Sequence, residues 1–232
     1  MEGTWLVENA TKSALIVGAT GLVGKELVNI LLNQTNYDSV MVLTRKLLPI
    51  THPKLEQIIT DFDQLNQYQQ HLQVDDVYCC LGTTIKTAGS QDAFRKVDFT
   101  YPLELAVLTK SLGAQKFLII TAMGADPNSK VFYSRVKGEI EAELKSLGFP
   151  ALHIFRPSLL LGERQEFRLG ERIGVILSPV LSFLMVGSLK KYKPIHARDV
   201  AMAMYQAGQL PKSGSFTHES DEIYRLSTET NS

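Results

Sequence analysis

The chain has 232 residues, 44% of them apolar and 21% charged, with 24 basic against 24 acidic side chains and a formal net charge of zero. That length suits one α/β domain with a sizeable core, and the charge balance creates no overall field for nucleic acid or anionic lipid. Two adjacent cysteines, Cys79 and Cys80, cannot build a secreted disulfide framework, and the opening MEGTWLVENATKSA has no apolar run behind a basic start, so a reducing, cytoplasmic setting without a signal peptide is expected.

In chain order, ALIVGA (Ala14–Ala19) is a short apolar run read as a buried strand. GATGLVG then places Gly18, Gly21 and Gly24 ahead of a segment in which Val23, Leu27, Ile30 and Leu31 recur at helical spacing. Between a strand and a helix, this pattern is the context of a dinucleotide-binding turn. Gly18 permits the tight turn, Gly21 lets backbone approach a pyrophosphate at the helix start, and Gly24 lets the helix pack on the sheet. Thr20, Leu22 and Val23 complete the stretch expected to face the cofactor.

SVMVLTR reads as the second strand. Where an NAD enzyme carries an acid for the ribose 2′-hydroxyl, this strand ends in Arg45 and Lys46. A guanidinium and an ammonium suit a 2′-phosphate, so NADP(H) is expected ahead of NAD(H). LEQIITDF reads as the third strand, with Asp61 and Phe62 bordering the adenine. DDVYCCLG reads as the fourth, with Leu81, Gly82, Thr83 and Thr84 lining the dinucleotide path. DFTYPLELAVLTKSLG reads as a helix ending at Gly113, with Pro102 near its first turn. KFLIITA is the fifth strand and ALHIFRP the sixth, whose end brings Arg156, Pro157 and Ser158 to the crevice.

Beyond it, GERQEFR supplies Arg164, Glu166 and Arg168, a mixed-charge group read as a solvated loop or a substrate-anion contact. IGVILSPVLSFLMVG (173–187) is too short and broken for a membrane span and reads as a cover over the crevice, with a homodimer surface as the alternative. KPIHARDVAMAMYQAGQ leads into a last helix. Strands alternating with helices predict a Rossmann-like, doubly wound, mostly parallel sheet with helices on both faces. One domain over 1–232 is expected, with a cofactor-binding core at 14–160 and a small substrate-side portion at 161–232. No set of His, Cys, Asp and Glu has metal-ligand spacing, so no metal is expected.

Between the fifth and sixth strands, VFYSRVKGEIEAEL sets Tyr133 and Lys137 one helical turn apart. A phenol with a pKa near ~10 is a poor acid–base catalyst at neutral pH. A cation one turn away stabilises the phenolate and brings that value down.

GATGLVG, CCLGTT, TAMGAD, YSRVKGEIE and FRPSLLLGERQEFRLGE together resemble the short-chain dehydrogenase/reductase superfamily. Within it, the resemblance is to the atypical branch that includes the HIV Tat-interacting protein and bacterial NAD(P)-binding relatives, and it runs from about Ala14 to the last helix. It implies a substrate cleft built by the C-terminal part. It also implies Tyr133 as proton donor to a substrate carbonyl, with Lys137 activating it and holding the nicotinamide ribose. A serine is usual at the end of the fifth strand in this family; here Thr121 offers the hydroxyl and Ala122 follows. Asp98 stands where many relatives have a relay asparagine. The expected function is an NADPH-dependent carbonyl reductase acting on a small organic substrate. The alternative is an NADP(H)-sensing regulatory protein without turnover. An epimerase or dehydratase of nucleotide-linked sugars would use the same pair with a larger substrate portion.

Overall fold

The computed structural model describes residues 11–162 and 192–229. The expected cover at 173–187 and the Arg164, Glu166 and Arg168 group lie outside the described residues.

Seven strands form one sheet: β1 (Lys12–Val17), β2 (Tyr37–Thr44), β3 (Leu55–Ile59), β4 (Asp76–Cys79), β5 (Lys116–Ile120), β6 (Ala151–Arg156) and β9 (Gly214–Glu219). Their order is β3-β2-β1-β4-β5-β6-β9 and every neighbouring pair is parallel. A second, two-stranded sheet joins β7 (Leu160–Leu161) to β8 (Ile195–His196). Strand order reverses between β1 and β4, so a crevice opens beyond their carboxyl ends. The glycine turn leaves β1 there, and Leu81–Thr84 leaves β4.

Helices cover both faces because the strands are apolar on both. Along β1, Ala14 and Ile16 join a core with α1 (Leu22–Leu32), α6 (Ala197–Gln209) and α7 (Ser220–Thr228). Leu15 and Val17 join the opposite core with α4 (Tyr101–Ser111) and α5 (Phe132–Leu147). Alternation along an extended chain sends neighbours to opposite faces, so one strand organises both cores.

The residues from Ala197 onward pack into the core formed by the first half of the chain. Ala197, Val200, Ala201, Ala203, Met204 and Ala207 of α6 are buried in the core with Val23, Leu27 and Leu31 of α1, and β9 extends the main sheet beside β6. Small side chains on α6 allow its close approach to α1. This part of the chain completes the core on the α1 face and extends the main sheet.

The helix around Pro102 begins earlier than its sequence suggests. After α2 (Ile85–Ala88) and α3 (Gln91–Arg95), a π turn over Lys96–Thr100 runs directly into α4. Proline has no N–H to donate to the carbonyl four residues back, and its ring clashes with that carbonyl. The chain accommodates this by widening one turn, with the Tyr101 N–H donating to the Lys96 carbonyl five residues earlier. Asp98 sits in that widened turn.

At the far edge, His153 of β6 and His218 of β9 stack with ring centroids 5.3 Å apart. His153 Nδ1 and His218 Nε2 are 3.0 Å apart, and His218 Nδ1 is 3.2 Å from a Glu222 carboxylate oxygen. A neutral His153 ring donating its Nδ1 proton to His218 Nε2 accounts for the contact between the two rings. Burial, then the neighbouring His218 and the charges of Lys116 and Lys212, push His153 down to about 3. An unfolded histidine takes up its proton near pH ~6.5, whereas folded His153 stays neutral to about 3. Folding therefore loses stability as pH falls through that window, by about 2–3 kcal/mol between roughly pH 6.5 and 4.5. Urea melts across that range should show this slope in wild type and a much shallower one in His153→Phe. Equal slopes would remove His153 as the source.

Candidate functional site

The turn after β1 is built for close approach. Gly18 has φ +78°, and a Cβ there would lie 2.4 Å from the Cys80 carbonyl oxygen. A Cβ on Gly24 would lie 2.2 Å from the Gly18 carbonyl oxygen, so α1 packs tightly against its own turn. Gly21 occupies the N-cap of α1 with no side-chain cap. The first amides of the helix therefore remain free to meet an anion, as a pyrophosphate site requires. Val23 is 5% exposed and belongs to the core; only its backbone is placed to take part. Thr20 is exposed, and Leu22 is half-buried. Cys79 is fully buried and Cys80 partly so. Burial pushes the Cys79 thiol up to about 12 and Cys80 upward as well, which keeps both as unreactive thiols.

Arg45 is exposed at the end of β2, where a cavity of about 380 Å³ is lined by Arg45, Ile59, Thr60, Asp61, Gln64 and Tyr68. Lys46 is exposed beside it, with its backbone pinned by the Thr44 hydroxyl. Neither cation is paired with a carboxylate among the described residues. A solvated guanidinium on the rim of a cavity, with an exposed ammonium next to it in sequence, fits a phosphate-bearing ribose. Asp61 stands on the rim, its carboxylate accepting the Asp63 N–H at 3.1 Å. Phe62 is the second residue expected to border the adenine. It is 5% exposed, takes φ +67° and packs against Tyr101 with ring centroids 5.6 Å apart. Its ring serves the core, leaving its backbone to the crevice.

Tyr133 lies in the first turn of α5, half-buried, its ring 5.5 Å from that of Phe94. One turn on, Lys137 is 4% exposed, and its Nζ lies 2.7 Å from Asp98 Oδ1. The second oxygen of Asp98 accepts the Thr83 N–H at 2.9 Å. Burial alone would lower Lys137; the Asp98 charge, helped by Tyr133 and Cys79, more than compensates and holds it above the ordinary lysine range. Gly82 is exposed directly over this pair, and a Cβ there would sit 3.6 Å from Asp98 Oδ1 and 3.9 Å from Lys137 Nζ. The ammonium is thus buried yet one glycine away from the crevice. Leu81 is half-buried beside it, and Thr84 caps α2 by accepting the Thr87 N–H.

At the ends of β5 and β6 the expected site residues have partners within the protein. The Thr121 hydroxyl donates to Glu141 Oε1 at 2.6 Å, and Thr121 is 5% exposed. A hydroxyl has one proton to donate, and here the Thr121 proton goes to Glu141. Arg156 holds both oxygens of Glu141, through Nε at 3.0 Å and through Nη2, and reaches Glu219 at 3.4 Å. Its guanidinium ties α5, β6 and β9 together. The Ser158 hydroxyl donates to the Lys193 carbonyl, while its N–H donates to the Ser220 hydroxyl at 2.6 Å. Pro157 is buried, and its carbonyl accepts the Met123 N–H. Glu141 was not singled out from the sequence, although it falls four residues past Lys137 on the face that carries Tyr133.

Residues 14–219 match the model of the NAD dependent epimerase/dehydratase family. Rat "Protein HTATIP2" is 40% identical over 164 residues, covering 69% of this chain and 67% of that protein. "Protein FMP52, mitochondrial" of Coccidioides immitis is 32% identical over 213 residues, covering 86% and 87%. A solved structure, "MoeE5 in complex with UDP-glucose and NAD", superposes with a TM-score of 0.67 at 15% identity over 93% of this chain and 80% of that one. That likeness shows the fold. Relatives from Scheffersomyces stipitis and Eremothecium gossypii are also named as mitochondrial. These names overturn the cytoplasmic placement expected from cysteine usage and the opening residues.

Proposed function

The chain belongs to the NAD dependent epimerase/dehydratase family of the short-chain dehydrogenase/reductase superfamily, and from that membership we propose that it is an NADPH-dependent oxidoreductase reducing the carbonyl of a small organic substrate. The observation that carries this reading is the placement of Tyr133 one turn from an ammonium that is buried, ion-paired and separated from the crevice only by Gly82. Tyr133 gives its hydroxyl proton to the carbonyl oxygen as negative charge develops there. Lys137 stabilises the phenolate left behind and holds the ribose beside it. The nicotinamide, when bound, supplies the hydride. The amides at the start of α1 hold the pyrophosphate, and Arg45 with its neighbour Lys46 holds the 2′-phosphate. The mitochondrial names of the fungal relatives support a mitochondrial setting.

One observation favours a second reading. With Thr121 committed to Glu141 and Ala122 next to it, the end of β5 offers a substrate carbonyl no free hydroxyl. A protein that binds NADP(H) and responds to it without turnover has no need of one.

Cofactor choice tests the reading of the rim. Losing a charge-assisted phosphate contact is worth about 1.5–3 kcal/mol, or roughly ten- to a hundredfold in affinity. Wild type should therefore bind NADPH more tightly than NADH. Arg45→Ala should weaken NADPH by about that factor and leave NADH nearly unchanged. Equal wild-type affinities for the two cofactors would sink the assignment.

A further inference from the structure

We propose that Asp98 is a positioning residue that keeps the Lys137 ammonium charged and fixed behind Gly82, so that Tyr133 faces a permanent cation. The inference rests on the Tyr133/Lys137 reading above. A lysine with 4% exposure and no counter-charge would shed its proton, because burial disfavours the charged form. It would then neither stabilise a phenolate nor donate three hydrogen bonds.

Three features fix Asp98 for the task. Its carboxylate is 1% exposed and sits 2.7 Å from Lys137 Nζ. The Thr83 N–H holds its other oxygen at 2.9 Å, which ties the pair to the turn lining the crevice. The π turn forced by Pro102 carries Asp98 in the helix segment packed against α5. The other titratable groups facing the ammonium are Tyr133 on its own helix and Cys79 of β4. Asp98 is the carboxylate paired with the ammonium, and it supplies the balancing charge. An asparagine at this place would hold a water or a backbone group but could not neutralise a buried ammonium.

The test uses the full chain labelled with ¹³Cε-lysine, with the Lys137 resonance identified by its absence in Lys137→Met. In wild type, Lys137 should stay protonated beyond the ordinary value of about 10.4. In Asp98→Asn its titration should fall by about two pH units or more, and Asp98→Glu should restore it. NADPH affinity, followed in parallel by fluorescence from roughly pH 7.5 to 9, above the ~6 ionisation of a phosphate monoester, should be flat in wild type and should weaken with rising pH in Asp98→Asn. An unchanged Lys137 titration in folded Asp98→Asn overturns the proposal. So does a wild-type Lys137 that titrates at or below the ordinary value, a measurement that decides the matter even if Asp98→Asn does not fold. A shifted titration in a protein that binds neither NADPH nor NADH upholds the role of Asp98 and removes the cofactor reading instead.

Discussion

Tyr133→Phe is expected to lower turnover by at least ~10²-fold, the ordinary cost of losing a general acid, with NADPH affinity changed by less than about threefold. The substitution deletes one hydroxyl and keeps the ring that packs 5.5 Å from Phe94, so α5 should form unaltered. Lys137 keeps its partner Asp98 and stays charged. The measurement is the loss of nicotinamide absorbance over a panel of aldehydes and ketones, with wild type and variant run side by side. A substrate turned over equally by both would remove Tyr133 from the chemistry. A panel without turnover, joined to intact NADPH binding, would move the balance toward the sensing alternative.

Arg156→Ala should destabilise the fold by about 3–5 kcal/mol, because it leaves the Glu141 carboxylate buried without its partner. Glu141 is 2% exposed, while Arg156 is open enough to be solvated if released. The asymmetry means that removing the arginine costs more than removing the glutamate. Arg156→Ala with Glu141→Gln should therefore recover part of the loss, since no stranded charge remains. In a chain of this size the single variant should lower Tm by roughly 6–20 °C. A loss of less than about 1 kcal/mol would mean that the buried pair is not the tie described here. A tenfold drop in NADPH affinity at unchanged stability would return Arg156 to the cofactor.

The cofactor half of the molecule was readable because its signals are local and periodic. ALIVGA followed by three spaced glycines and a 3.6-residue apolar pattern has one economical structural solution, and β1, its turn and α1 are that solution. Arg45, Lys46 and the Tyr133/Lys137 pair could be picked out because charge and spacing are visible in one dimension. β9 was not, since GSFTHE is an edge strand whose exposed and half-buried positions need no apolar alternation. The commitment of Thr121 to Glu141 was equally hidden. A hydroxyl reads as free until its neighbour across the fold is known, and Glu141 stands twenty residues away. The widened turn at Asp98 could be suspected from Pro102, but only the packing of that helix against α5 shows what the turn presents.

The parallel sheet has a consequence for how the chain comes off the ribosome. β1 is flanked by β2 and β4, and Val17 at its end pairs with Cys79. Roughly 60 residues separate those positions, which at about 5–20 residues per second leaves the β4 side of β1 open for on the order of several seconds during synthesis. The strand left waiting is the apolar ALIV, the segment least suited to prolonged contact with water. No hairpin can close it early, because parallel partners require a crossover. Nascent chains halted between β2 and β4 should accordingly engage a holding chaperone, and chains released just beyond β4 should engage it much less.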